Sequence, residues 1–130
     1  MQEKSIPLVS FEKLVINGNF KVVLIENGQP VMQIQGESEI LNFIKVFQNQ
    51  KELRISGNIP NPGQHQILVT IQVRHLKSLL VNSNAEVLSS GRLQSGHLNI
   101  MLDASCLVKI KNIGEITVSH NEDYDLTRIQ

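Results

Sequence analysis

Residues 79–88 read LLVNSNAEVL and residues 101–110 read MLDASCLVKI, and the relation between the two stretches decides the fold. Sliding the chain by 21 places sets Leu79 on Ile100, Val81 on Leu102, Asn82 on Asp103, Ser83 on Ala104, Asn84 on Ser105, Ala85 on Cys106 and Val87 on Val108. Apolar residues meet apolar ones, and small or turn-forming residues meet their like. Strand-rich sequence repeating every 21 residues has an apolar face on each turn that cannot be buried alone, so successive turns stack and equivalent residues form ladders. The corners fall at Asn, Asp and Ser, which tolerate left-handed backbone angles or bond their side chains to nearby amides. This reading predicts that Ala85 lies directly above Cys106 in a shared interior.

Upstream, LVINGNFKVVL (residues 14–24) fits the same template at an offset of 65, close to three turns of 21 or 22 residues. An alternative stands beside it: Asn17-Gly18 is also the signature of a two-residue hairpin turn. Leu14, Ile16, Phe20, Val22 and Leu24 alternate on either side of that turn with the period-two pattern of half-buried strands. VMQIQ (31–35) repeats the alternation imperfectly. In GESEILNFI (36–44), Ser38 is placed to cap a helix of one or two turns, with Ile40, Leu41 and Ile44 on one face. IKVFQ and ELRIS then flank a turn and read as a hairpin. GNIPNPGQHQ (57–66) is a proline- and glycine-bearing loop inside one domain, and the alternating Ile67, Val69, Ile71 and Val73 after it form the clearest strand. The last rung is shorter: Ile110, Ile113, Ile116 and Val118 take apolar positions before HNEDYD (120–125), read as a charged, aperiodic tail that blunts the open end of the stack.

A chain of 130 residues is one domain, residues 1–130, long enough to bury roughly two thirds of its unfolded surface without a staple. Twelve Lys and Arg balance twelve Asp and Glu, so no global field favours nucleic acid or an anionic membrane. Nucleic acid is not an expected partner. The single cysteine, Cys106, rules out an internal disulfide and leaves the compartment open. No stretch approaches the roughly 18 apolar residues of a membrane span, and MQEKSIPLVSF is not a signal peptide. If the natural product is exported, this sequence is a mature or trimmed form of it, with Met1 added.

The order of FEKLVINGNFKVVLIEN, VMQIQGESEILNFIKVF, KELRIS and VTIQVRHLKSLLVNSNAEV, continued by MLDASCLVKI, resembles the putative auto-transporter adhesin head GIN domain family of bacteria. The resemblance implies an all-β fold: a right-handed, single-stranded parallel β-helix, or β-solenoid, with a meandering, hairpin-containing N-terminal part. It implies placement in the cell envelope or secretion to the periplasm or outer surface, and it brings no activity with it. The corners here, NSNAE and DASCL, depart from the Gly-rich corners frequent in that family.

Polysaccharide-active β-helices need clustered carboxylates on one sheet face, yet Asp103 is the sole acid between Glu86 and Glu115. His65, His75, His97 and His120 share no metal-ligand spacing and read as surface residues. Glu122, Asp123 and Asp125 lack the alternating acids and the glycine of a calcium loop. Cys106, flanked by apolar residues, reads as a buried inert thiol. With no Trp and 4% aromatics, Phe11, Phe20, Phe43 and Phe47 sit at alternating or core-like positions, and Tyr124 alone looks free for a sugar ring. Asn82 and Asp103 read as corner supports. No catalytic, cofactor-binding, metal or other binding residue is assigned, and no cofactor is expected. The expected function is a non-enzymatic, adhesin-like envelope module presenting a rigid surface to an unknown protein or glycan. A self-associating scaffold, a homo-oligomer, is the alternative, and a polysaccharide-active enzyme stands behind both.

Overall fold

The computed structural model describes residues 2–27, 29–49, 51–59, 67–103, 106–120 and 125–129, with side chains through residue 119. In chain order the elements are β1 (Gln2–Pro7), β2 (Lys13–Gly18), β3 (Lys21–Glu26), β4 (Val31–Gly36), α1 (Ser38–Leu41), β5 (Lys45–Gln48) and β6 (Glu52–Gly57). Beyond residues 60–66, where most of the expected loop lies outside the described residues, come β7 (Leu68–Val73), β8 (Ser78–Val81), β9 (Glu86–Leu93), β10 (His97–Leu102), β11 (Leu107–Asn112), β12 (Glu115–His120) and β13 (Asp125–Ile129). The described residues are all-β apart from one short helix. Two mixed sheets form, a first in the order β1-β4-β7-β3-β9-β11-β13 and a second in the order β12-β10-β8-β2-β6-β5.

The chain alternates between the sheets. β2, β8, β10 and β12 in the second sheet each lead into β3, β9, β11 and β13 of the first, and neighbouring strands in these two series pair parallel. The 21-residue shift is visible in register, with Ile100 opposite Leu79 and Val108 opposite Val87. Ala85 and Cys106 are both buried in the common core, and the Leu107 amide donates to the Ala85 carbonyl at 3.1 Å. The last step is shorter, as expected: Ile116 lies opposite Leu98 and Leu126 opposite Val108.

The offset of 65 also appears in register, Leu14 opposite Leu79 and Val22 opposite Val87, but it separates adjacent layers instead of layers three turns apart. The intervening residues leave the stack and return on the far side of β2 and β3, where β6 pairs parallel with β2 and β7 with β3. Asn17-Gly18 is therefore a corner between sheets and not a hairpin turn, since β2 and β3 never pair with each other. Gly18 is required there by space: a Cβ would lie 2.1 Å from the Phe20 ring and 2.4 Å from the Gly57 carbonyl oxygen. Side chains fasten the same corner. Ser83 Oγ accepts from the Gly18 amide at 2.9 Å and donates to the Gly18 carbonyl at 2.8 Å. Asn19 exchanges two bonds with the Ile59 backbone, at 2.7 and 2.9 Å.

Between the sheets lies a hydrophobic core, with Leu14, Ile16, Val22, Leu24, Ile55, Ile71, Val81 and Val87 fully buried. At one end it is covered by antiparallel strands, β1 and β4 on β7 and β5 on β6, with Ile40 of α1 beneath. The β5–β6 hairpin is the one expected. The cap of α1 is Glu37, and Ser38 is already its first residue. Ile113, expected inside, is 63% exposed. Asn112 goes inside instead, where its Oδ1 accepts from the Ser95 amide at 3.0 Å and its Nδ2 donates to the Ser95 carbonyl at 3.1 Å. A buried corner has backbone groups to satisfy, and an amide side chain can do so where isoleucine cannot. The chain beyond HNEDYD does not run out as an aperiodic tail either, because β13 pairs parallel with β11. Residues 121–124 of that stretch lie outside the described residues.

Candidate functional site

Because Leu14, Ile16, Leu53, Ile55, Leu79, Val81, Ile100 and Leu102 point into the core, alternation turns the residues between them to the outer face of the second sheet. Parallel registers then align these outward residues in rows across the strands. One row is polar: Glu52, Lys13, Ser78, Asn99 and Thr117. The adjacent row is Phe47, Arg54, Val15, Leu80, Met101 and Ser119. Strands in a sheet lie about 4.8 Å apart, so each row offers a side chain at that interval.

The second row carries the apolar character of the face. Phe47 is 57% exposed and Met101 48%, whereas Val15, set between Arg54 and Leu80, is covered. Between the rows runs a groove of about 260 Å³ lined by Lys13, Ser78, Leu80, Asn99, Met101 and Thr117 among others. Its floor offers methyl and thioether groups and its rim offers hydroxyls, an amide and an ammonium. Such a surface can hold a ligand with one apolar and one hydrogen-bonding side. Glu52 is engaged by Arg54 Nη2 at 3.1 Å and by Lys13 Nζ at 3.8 Å. Exposed pairs of this kind add little stability and chiefly orient the side chains.

The residues weighed for chemistry do not converge on that groove. His97 is on the same sheet at its β12 side, Nε2 at 2.8 Å from Thr117 Oγ1 and Nδ1 at 3.5 Å from Glu115 Oε2. His75 is at a corner in the left-handed region, φ 51°, where Glu26 Oε2 accepts from its amide at 3.0 Å and Glu26 Oε1 accepts from the Gln94 amide at 2.9 Å. That carboxylate ties three layers of chain together. Asp103 is exposed at the corner after β10, its amide donating to the Val81 carbonyl. At the corner before it, Ser83 Oγ bonds the Gly18 backbone, and the Asn82 amide donates to the Ile16 carbonyl. Cys106 is buried, and desolvation pushes its thiol above the ordinary value. Among the described residues no group of three or more His, Cys, Asp or Glu could hold a metal ion. His65, Tyr124, Glu122 and Asp123 fall outside the described residues, and His120 and Asp125 are described in backbone only.

Two aromatics were misplaced by pattern reading. Phe43 is 45% and Phe47 57% exposed, so both are available for contact, while Tyr124 lies outside the described residues. The signal for Phe47 lay in KVFQ, where Val46 and Phe47 are neighbours and a strand can turn only one of them inward. Val46 packs on the core opposite Ile55, which sends Phe47 out.

A family model described as "Putative auto-transporter adhesin, head GIN domain" matches residues 10–127. Among solved structures, a putative adhesin from Parabacteroides merdae is similar at TM-score 0.75 and 16% identity, over 93% of this chain and 52% of that one. A putative lipid binding protein from Parabacteroides distasonis gives TM-score 0.71 and 10% identity over 98% of this chain and 59% of that one. A putative adhesin from P. distasonis gives 0.56 and 12%, over 98% and 69%. At these identities the likeness is one of fold, and the chain spans between half and three fifths of the length of the first two. No functionally curated protein matches the chain.

Proposed function

The chain belongs to the family described as putative auto-transporter adhesin, head GIN domain, and from that premise we propose that it is a non-enzymatic, adhesin-like module of the bacterial envelope or outer surface. In this reading the two sheets are the walls of a parallel β-helix. The alternation of chain between them and the ladders at Leu14, Leu79 and Ile100 support it. The right hand of that helix comes from the family resemblance. A stack of this kind is stiff, because each layer is bonded to its neighbours along two sheets, and a stiff scaffold holds surface side chains in fixed relation without ordering them on binding.

One observation carries the assignment of the binding face: Phe47, Leu80 and Met101 stand exposed or half-exposed in one row beside the hydroxyl and amide row of Ser78, Asn99 and Thr117. Sugar rings and protein surfaces both present apolar patches edged with hydrogen-bonding groups, and exposed aromatic and Met side chains are favoured at contacts with them. The test is binding of the immobilised protein to a panel of glycans, cell-wall fragments and envelope proteins, repeated with Phe47→Ala and Met101→Lys. Ligand retention by a monomer, with affinity lowered about tenfold in each variant and thermal melting unchanged, is the expected result. Wild-type binding by both variants would remove the face from consideration.

A further inference from the structure

The first sheet presents a different surface. In β11, Val108, Ile110 and Asn112 are buried, so Lys109 and Lys111 point outward, and both are exposed. In β9 the inward Leu93 sends Arg92 outward, and Arg92 is the direct cross-strand partner of Lys111. The three cations meet at a register shift. Lys109 is opposite Leu88 and Lys111 opposite Arg92, so two residues of β11 span four of β9. The bulge turns through Gly91 at φ +81°, and the Lys111 amide donates to Ser89 Oγ at 2.8 Å, with Ser90 and Gly91 exposed.

None of the three cations is ion-paired among the described residues, whereas Lys13, Arg54 and Lys77 elsewhere are held by Glu52 and Glu12. The acids closest to them in register are Glu86 on β9 and Asp125 on β13, both opposite Leu107, two residues along the strand from Lys109. A neutral protein thus gathers three cations here, none of them ion-paired to a carboxylate among the described residues.

The geometry points to an anion-binding patch, built from Arg92, Lys109 and Lys111 beside the β9 bulge, that takes successive oxyanion groups of a soluble, acidic cell-surface polymer. Arg92 offers a planar fork suited to phosphate or carboxylate, and the two lysines add point charges along the strand. Neighbouring cations are spaced roughly 5 Å across strands and about 7 Å along one, which suits a chain with repeating charges better than one isolated ion. Stacked nucleobases are disfavoured, because the exposed aromatics among the described residues, Phe43 and Phe47, belong to the β5 end of the other sheet. A membrane would gain one apolar anchor here, Ile113, exposed at the adjoining corner.

The test measures binding of inorganic polyphosphate and of polygalacturonate to the whole chain over a salt series. It is repeated with Arg92→Ala/Lys109→Ala/Lys111→Ala, and with a control of equal net charge, Lys4→Ala/Lys45→Ala/Lys51→Ala. The expected result is a log–log salt slope of roughly −2 for three contacts, flattened in the patch variant with affinity down at least about tenfold and kept in the control. Equal losses in both triple variants would show a global charge effect and overturn the patch. So would salt-independent binding, or binding to vesicles of anionic phospholipid with none to either polymer.

Discussion

Gly18 stands where two layers touch, and its role is steric. In Gly18→Ala the new methyl would meet the Phe20 ring and the Gly57 carbonyl inside a bonded corner, at a cost of about 2 to 3 kcal/mol by overpacking. Gly96→Ala, with nothing within 4 Å of the added carbon, is the control, expected to change stability by no more than about 0.5 kcal/mol. Urea unfolding of both variants checks the contrast. Asn112 makes the complementary case. Asn112→Leu keeps volume but orphans the buried Ser95 amide, and one such buried donor costs about 1 to 3 kcal/mol. Pattern reading chose Ile113 over Asn112 because periodicity scores polarity and cannot foresee that a buried corner consumes hydrogen bonds. The Cys106 thiol tests the interior by pH. Burial raises its folded pKa, so the stability tied to the protonated thiol is complete below the unfolded value near about 8.5 and is lost as pH rises through the folded one. Between pH 7 and 10 the wild type should lose more stability than Cys106→Ala, as read from urea midpoints.

At the level of elements, strands with alternating apolar residues were legible from sequence: β2, β3 and β7 are where alternation puts them, and β8–β11 where the 21-residue repeat does. β1 was not, because of its six residues only Ile6 is even partly buried, so there is little period-two signal to read. β13 was hidden for a related reason: the acids before it suggested an end to pairing, yet backbone ladders ask nothing of side-chain polarity. The β9 bulge was invisible as well, since two extra residues look like a loose spacing until the partner strand is known. Gly91 is its conformational key. Gly91→Ala has open space for its methyl but sits at positive φ, so a loss of about 1 kcal/mol is expected, with the local twist around Arg92 changed. Amide exchange should report that change as faster exchange at Lys111, whose partner is Ser89 Oγ, while β10 and β12 stay protected.

For the molecule as a whole, sequence spacing recovered which residues lie in register but not the order of the layers. The offset of 65 looked like three turns because a linear slide cannot represent a chain that leaves a stack and returns on its other side. That topology has kinetic consequences. Joining β2 to β8 closes a loop of 65 residues where joining β8 to β10 closes one of 21, a difference of about 1 kcal/mol in closure entropy. Folding should therefore begin in the β8–β11 region. Chevron analysis is expected to give high φ-values for Val87→Ala and Val108→Ala and low ones for Val22→Ala, and a φ near one at Val22 would reverse the order. Oligomeric state is decided at this scale too. Among the described residues β12 is the last strand of the second sheet, and light scattering over a concentration series should show a monomer if the outward Glu115, Thr117 and Ser119 suffice to keep that edge apart, and growing species if the scaffold reading holds. The interleaving of β2 and β3 between layers that come later in the chain also bears on delivery. A polypeptide emerging N-terminus first from a ribosome or a translocation pore can seat residues 13–26 on one flank once Val73 is out, but the other flank waits for Ser89, so that edge travels bare in the interval.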